Sequence, residues 1–281
     1  MSCGLFAKKR SETYGGEQMF KNMSHIIIAA FLVALGTVGS VTAQDVAGEK
    51  SPLRVGITPN YPPMIFRLNE KITGVDADLA RRLGRELNRP AQFVELEWNQ
   101  QIGALLEGKI DIIMSGMTIT DARKVRINFS DPYLKSGLVA AMRAEDASRY
   151  TSAKSILAGY PAVGVIKGTT GEAFVRQNMS TSPRIATFSN VNDAPSELTS
   201  RRIDVFIHDA PAVVWLVSEN EADIRGVWDL LKEEDLGWGV RKGDDDFLKQ
   251  VNSILQRWKQ DGTLDEILRN WLPAKYLERF K

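Results

Sequence analysis

The stretch from Asp111 to Tyr133, DIIMSGMTITDARKVRINFSDPY, decides how the rest of the chain is read. Ile110, Ile112, Ile113 and Met114 form an apolar, strand-like run that stops at Ser115-Gly116. A hydroxyl-rich turn follows, then a short helix expected to open near Thr120 or Asp121, with Arg123 in its first turn. Small residues let backbone N–H groups face outward, and a helix start adds partial positive charge. Arg123 adds a planar fork that matches a carboxylate. The combination predicts a pre-formed seat for one small anion, most simply a ligand carboxylate.

Upstream, Leu53 to Ile57 alternates and β-branches like a strand, and the loop TPNYPP (Thr58 to Pro63) follows it. Val75, Leu79, Leu83 and Leu87 fall at helical spacing, with Asp76 and Asp78 favouring the first turn. Phe93 to Leu96 reads as the next strand, and Ile102, Leu105 and Leu106 lie on a helix ended by Gly108. Strand, helix, strand, helix, strand is a parallel-sheet pattern, whose ligands sit beyond the carboxyl ends of the strands. TPNYPP and SGMT both emerge there.

Downstream, Gly137 to Met142 is a further strand, and a second series follows: strands at Ala162–Ile166, Arg184–Thr187 and Ile203–Ile207, helices at Glu172–Met179, Ala194–Thr199 and Ala210–Val217. Leu236 to Val240 reads as a returning strand. Phe247, Leu248, Val251, Ile254, Leu255 and Trp258 make one apolar helical stripe, and Gly262 separates it from a second at Leu264, Ile267, Leu268 and Trp271. The organisation predicts lobe one over 51–143 plus 236–281 and lobe two over 144–235.

The N-terminus reads as an export signal over 1–43. Ile26 to Val38 is apolar but short for a bilayer, and Val41-Thr42-Ala43 suits signal peptidase. Met1, Met19 and Met23 are alternative starts. The only cysteine, Cys3, precedes the apolar run, so no lipoprotein cysteine and no disulfide are expected. Lys8, Lys9, Arg10 and Lys21 against Glu12 and Glu17 give the signal +2; with +1 on the whole chain, the remainder sits near −1. That balance argues against nucleic acid or an anionic membrane as the main partner. About 238 residues follow Ala43, enough for two α/β lobes or one large domain.

The spacing of Ser115, Gly116, Thr118, Arg123, Phe129, Ser130, Pro132 and Tyr133 resembles the carboxylate-binding segment of bacterial extracellular solute-binding proteins of family 3, the polar amino-acid binders of ABC importers. The resemblance runs from about Leu53 to the C-terminus. It implies an α/β, two-lobed periplasmic-binding-protein-like fold of type II, with a ligand cleft between the lobes. Two crossover strands near Leu138–Arg143 and Leu236–Arg241 would form the hinge. It further implies a periplasmic monomer that presents a small amino acid or related carboxylate to an inner-membrane ABC permease, with no catalytic residue, metal or cofactor.

Residue roles carry over by position. Arg123 would grip the ligand carboxylate; the plain alternative is an ion pair with Asp121 or Asp131. Thr118 would give a hydroxyl and an N–H to the same group, Gly116 a carbonyl to the ligand ammonium, and Ser115 would assist. Thr169 and Thr170 in Gly168-Thr169-Thr170-Gly171 are the matching device on lobe two, with a plain capped helix as the alternative. Asp209 would pair with the α-ammonium, although Asp before Ala210-Pro211 is also good N-cap chemistry. Tyr61 would cover the ligand side chain. Val75 and Met64 stand where the family commonly has aromatics, which weakens the expected aromatic sandwich. Thr58 stands where binders of basic amino acids tend to carry an acid, which points away from lysine, arginine or ornithine.

Two further readings use the same scaffold. One is an enzyme similar to cyclohexadienyl dehydratases, acting on prephenate or arogenate, with Glu172 as its one candidate general acid. The other is a periplasmic sensor component. With two histidines, His25 and His208, and one cysteine, no His/Cys metal cluster is possible. No Ser-His-Asp arrangement, P-loop or dinucleotide fingerprint appears.

Overall fold

In a computed structural model, which describes residues 51–279 except 180 and 183, the strand–helix alternation becomes two five-stranded sheets joined by two short crossings. The export signal expected over 1–43 lies outside the described residues. The first half holds β1 (Leu53–Ile57), β2 (Asn60–Tyr61), β3 (Ile65–Leu68), β4 (Lys71–Thr73), α1 (Val75–Glu86) and β5 (Ala91–Glu95). It continues with α2 (Gln101–Leu106), β6 (Ile112–Ile113), α3 (Asp121–Lys124) and β7 (Asn128–Phe129). Next come β8 (Leu134–Arg143), α4 (Ala153–Ala158), β9 (Val163–Ile166), α5 (Thr170–Asn178) and β10 (Ile185–Phe188). Then follow α6 (Ala194–Thr199), β11 (Val205–Asp209), α7 (Ala210–Glu219) and β12 (Ile224–Leu236). The chain closes with β13 (Gly239–Val240), α8 (Asp245–Asp261), α9 (Thr263–Trp271) and α10 (Ala274–Arg279).

The first sheet runs β5-β1-β6-β13-β7. β1 lies parallel to β5 and β6 because α1 and α2 carry the chain back across the sheet. Its Leu53, Val55 and Ile57 are fully buried. α1 turns Val75, Leu79 and Leu83 inward and takes α8 and α9 against it. Gly74 starts that helix at φ 114°, where a Cβ would lie 2.6 Å from the carbonyl oxygens of Pro63 and Met64. A non-glycine residue is excluded there by both conformation and space.

The second sheet runs β10-β9-β11-β8-β12, with β8 antiparallel to both its neighbours. Leu138, Ala140, Met142, Val163, Val165, Val205 and Ile207 form its core. This sheet corrects the boundary and hinge read from the sequence. Leu134–Arg143 pairs along its whole length with the second sheet, so the chain changes sheets before Leu134 and not after Arg143.

The crossings are Ser130–Tyr133 on the way out and Gly237–Trp238 on the way back. They lie side by side: Ser130 N–H donates to the Trp238 carbonyl (2.9 Å), and Tyr133 N–H to the Leu236 carbonyl (3.0 Å). The Tyr133 and Trp238 rings stack at 5.3 Å and 24°. Two adjacent stretches of backbone and one stacked aromatic pair thus carry the chain between the two sheets.

Candidate functional site

The turn after β6 is built by its neighbours. Ser115 Oγ accepts the Thr58 N–H at 3.0 Å, which ties the ends of β1 and β6 together. Gly116 sits at φ 62°, and a Cβ there would lie 2.5 Å from Cε1 of Tyr61. The Tyr61 ring therefore rests directly on the glycine backbone. Gly116 N–H donates to Asp76 Oδ2 at 2.6 Å.

Thr118 makes a single antiparallel bridge with Leu236, in which Met117 and Ile119 take the backbone bonds. Among the described residues no acceptor faces the Thr118 N–H. α3 then opens at Thr120, whose side chain accepts the Arg123 N–H at 3.2 Å. That cap aims the Arg123 side chain back along the turn. Its Nη1 donates to the Thr118 carbonyl at 2.7 Å, and its guanidinium carbon lies 5.3 Å from the centre of the Trp98 ring. Burial pulls the guanidinium below its ordinary pKa, while Asp209 and Glu234 oppose the shift; Arg123 stays charged. Neither alternative partner holds it. Asp121 pairs with Lys124, and Asp131 accepts from Gln256, so among the described residues Arg123 has no ion pair.

On the opposite lobe, Gly168 to Gly171 opens α5. Thr169 is the N-cap: its hydroxyl accepts the Glu172 N–H and donates to the Ile166 carbonyl at 2.7 Å. The Thr169 hydroxyl is thus spent inside the turn as a cap, while the residue still lines the pocket. Thr170 is buried and donates to Glu234 Oε2 at 2.9 Å. Asp209, at the end of β11, makes no side-chain cap to α7 and instead accepts the Tyr61 hydroxyl at 2.7 Å. Full burial pushes its carboxyl up to about 6, with Tyr61, Arg123 and Lys232 pulling the other way. His208 lies on β11. Its Nδ1 accepts the Asp209 N–H at 2.7 Å, and burial lowers it to about 4, so the imidazole is neutral and its 3.8 Å approach to Asp209 is no ion pair.

Tyr61, Ser115, Gly116, Thr118, Arg123, Thr169, Thr170 and Asp209 line one pocket between the two sheets. Thr58, Asn60, Trp98, Ile166, Ser189, Val191 and His208 complete it. Trp98 is the main residue that the sequence reading left out. It covers Arg123 and donates from Nε1 to the Gly168 carbonyl at 2.9 Å, so it spans the cleft. Tyr61 and Trp98 together supply two aromatic walls, which restores the aromatic pairing that Val75 and Met64 had seemed to weaken; Val75 is core. An aromatic residue just ahead of α2, beyond the end of β5, was the available signal.

Glu234 is the second omission. Its carboxylate is almost fully buried and takes the Thr118 hydroxyl (3.3 Å), the Thr170 hydroxyl and Lys232 Nζ (3.0 Å). Burial and Asp209 raise its pKa. Thr58 is buried, with its hydroxyl donating to the Leu96 carbonyl at 2.8 Å beside the Gln101 side-chain amide. Glu172 lies outside the pocket: it accepts from Gly168 N–H and Arg176, which with Lys167 hold its carboxyl below the usual range against its partial burial. A general acid needs the opposite shift. The enclosed space is about 30 Å³, because the Tyr61 hydroxyl already sits on Asp209 and the lobes touch at Asn60–Ser189 and Trp98–Gly168.

The model of the bacterial extracellular solute-binding proteins, family 3, matches residues 53–274. The probable histidine-binding protein of Neisseria gonorrhoeae is 31% identical over 270 residues, 92% of this chain and 97% of that protein. The L-cystine-binding protein TcyJ of Escherichia coli K12 is 28% identical over 252 residues, 88% of this chain and 94% of that protein. Among solved structures, an ancestral arginine-binding protein bound to arginine superposes with a TM-score of 0.74 at 32% identity, covering 80% of this chain and 99% of that one. The ancestral amino acid-binding protein AncCDT-1, a precursor of cyclohexadienyl dehydratase, gives 0.73 at 36% identity, covering 79% and 95%.

Proposed function

The chain belongs to the bacterial extracellular solute-binding proteins, family 3, and on that premise we propose that it is the periplasmic receptor of an ABC importer that closes two lobes around one small amino acid. The carrying observation is Arg123: a half-buried guanidinium that has, among the described residues, no carboxylate partner, beside the Thr118 N–H, which meets no acceptor among them, and the first N–H groups of α5. That set of donors suits one carboxylate. Asp209, across the pocket, suits the α-ammonium, which would take the place of the Tyr61 hydroxyl. Tyr61 and Trp98 would flank the side chain. The two halves of the seat stand on different sheets, so an amino acid that touches both favours the closed form, and only contacts unique to that form can do so. A permease in the inner membrane is the implied partner.

The relatives described above are named as amino-acid-binding proteins, and Glu172, the general acid that the dehydratase reading names, lies outside the pocket. A thermal-shift screen of the chain from Gln44 onward against the amino acids tests the proposal. A binder at 100 times its dissociation constant should stabilise by ~2.7 kcal/mol. The same screen on Arg123→Ala should be flat. Full shifts retained by that variant would count against the carboxylate seat.

A further inference from the structure

Asp76 is a carboxylate with no part in the pocket and no exposure to solvent. It stands in the first turn of α1 and holds three donors that come from three different places. Gly116 N–H reaches Oδ2 at 2.6 Å from the ligand turn. The Tyr133 hydroxyl reaches the same oxygen at 3.1 Å from the outward crossing. Trp238 Nε1 reaches Oδ1 at 3.3 Å from the return crossing. Among the described residues no cation pairs with it. A helix start alone would be satisfied by solvent-facing Asp78, which bonds Arg81 and Trp271 instead.

We propose that Asp76 is a positioning residue that couples the Gly116 turn to both crossings, so that occupation of the turn sets the angle between the lobes. The argument is geometric. Gly116 is held at a left-handed φ with Tyr61 against it, so the peptide cannot rotate without losing the Asp76 bond. Tyr133 and Trp238 stack on one another and carry the backbone pairs that join the crossings. One carboxylate therefore fastens the ligand turn to the only pair of side chains that bridge the two crossings through a stacked ring contact among the described residues. A ligand that pulls on the Gly116 peptide moves the hinge through two hydrogen bonds. A merely structural buried acid would need none of these partners to lie on the crossings. The proposal rests on the ligand reading of the pocket for its second readout and is independent of it for the first.

The test uses dyes on cysteines placed at Lys109 and Lys154, one on each lobe, in a chain whose only native cysteine is Cys3. Single-molecule energy transfer gives the open and closed populations with and without L-arginine, L-histidine, L-glutamine and L-cystine. Asp76→Asn, Tyr133→Phe and Trp238→Phe are compared with the parent and with Arg123→Ala. Tyr133 and Trp238 do not line the pocket, and Tyr133→Phe, which removes only a hydroxyl, should leave the fold intact even if Asp76→Asn or Trp238→Phe does not fold. The expected result is an altered closed fraction without amino acid in every folded Asp76, Tyr133 and Trp238 variant. Affinity for whichever amino acid binds the parent should also fall by roughly tenfold in each, as loss of a hydrogen bond to a charged group implies. Arg123→Ala should lose binding while keeping the parental ligand-free populations. Parental populations and parental affinity in Tyr133→Phe and Trp238→Phe would overturn the coupling. Undiminished affinity in Arg123→Ala would instead overturn the ligand reading and leave the coupling to be judged on the ligand-free populations.

Discussion

The neutrality of His208 shows how one residue can carry a pH dependence. Its ordinary value of 6.5 falls to about 4 in the fold, where Phe206 and Tyr61 surround it and its Nδ1 accepts a backbone N–H. The unfolded chain takes a proton below pH 6.5 and the folded chain only near 4. Stability from this group is complete above 6.5 and is lost as pH falls toward 4, by about 3 kcal/mol in all. Asp76 and Asp209, both pushed up to about 6, work the other way, because the folded chain binds their protons first as pH drops through 6. The parent should therefore show a muted acid slope. His208→Gln should remove the destabilising part, so that the denaturant midpoint at pH 5 rises relative to the midpoint at pH 7.5. An unchanged difference between the two midpoints would show that the imidazole is not held neutral. Of the residues that line the candidate pocket, Arg123, Thr118, Gly116 and Asp209 were legible because each is tied to local spacing: a strand end, a turn, a helix start. Trp98 and Glu234 were not, because only the fold brings them to the same place as Arg123.

Among elements, α5 separates capping from binding. Thr169 closes the first turn, and Thr170 points to Glu234. Thr169→Ala should lower stability by about 1 kcal/mol in chemical denaturation, the usual cost of a lost N-cap. Its amino-acid affinity should stay within a few-fold of the parent by calorimetry. A hundredfold loss of affinity would place the Thr169 hydroxyl in the binding set. Periodicity exposed most helices and the buried strands, since α1, α8 and α9 carry clear apolar stripes and β1, β9 and β11 are short apolar runs. It missed β12, an edge strand of 13 residues in which Asp229, Lys232, Glu233 and Asp235 face outward and the register breaks between Val227 and Lys232. Charged residues and bulges are how an edge strand avoids further pairing, and they erase the alternation that marks a strand. The β3–β4 hairpin was missed for a related reason: Asn69-Glu70 takes positive φ at both positions without a glycine to announce it.

For the whole molecule, the sheet order could not be read from one strand at a time. β8 looks like a continuation of the first series, yet it pairs with β11 and β12, and this moves the crossings to Ser130–Tyr133 and Gly237–Trp238. Bending there should bring the lobes together when an amino acid binds. Small-angle scattering should show a smaller radius of gyration on addition of the binding amino acid, and no change for Arg123→Ala. An unchanged radius in the parent at saturation would argue that the lobes are already fixed. The central claim, however, is that a carboxylate is what Arg123 holds, and calorimetry can isolate that group. The best-binding amino acid is titrated beside its own carboxamide, into the parent and into Arg123→Ala. Two or more charge-assisted hydrogen bonds at ~1.5–3 kcal/mol each predict that the amide binds the parent at least a hundredfold more weakly. The variant should bind acid and amide alike. An amide that binds the parent as tightly as the acid would contradict the account.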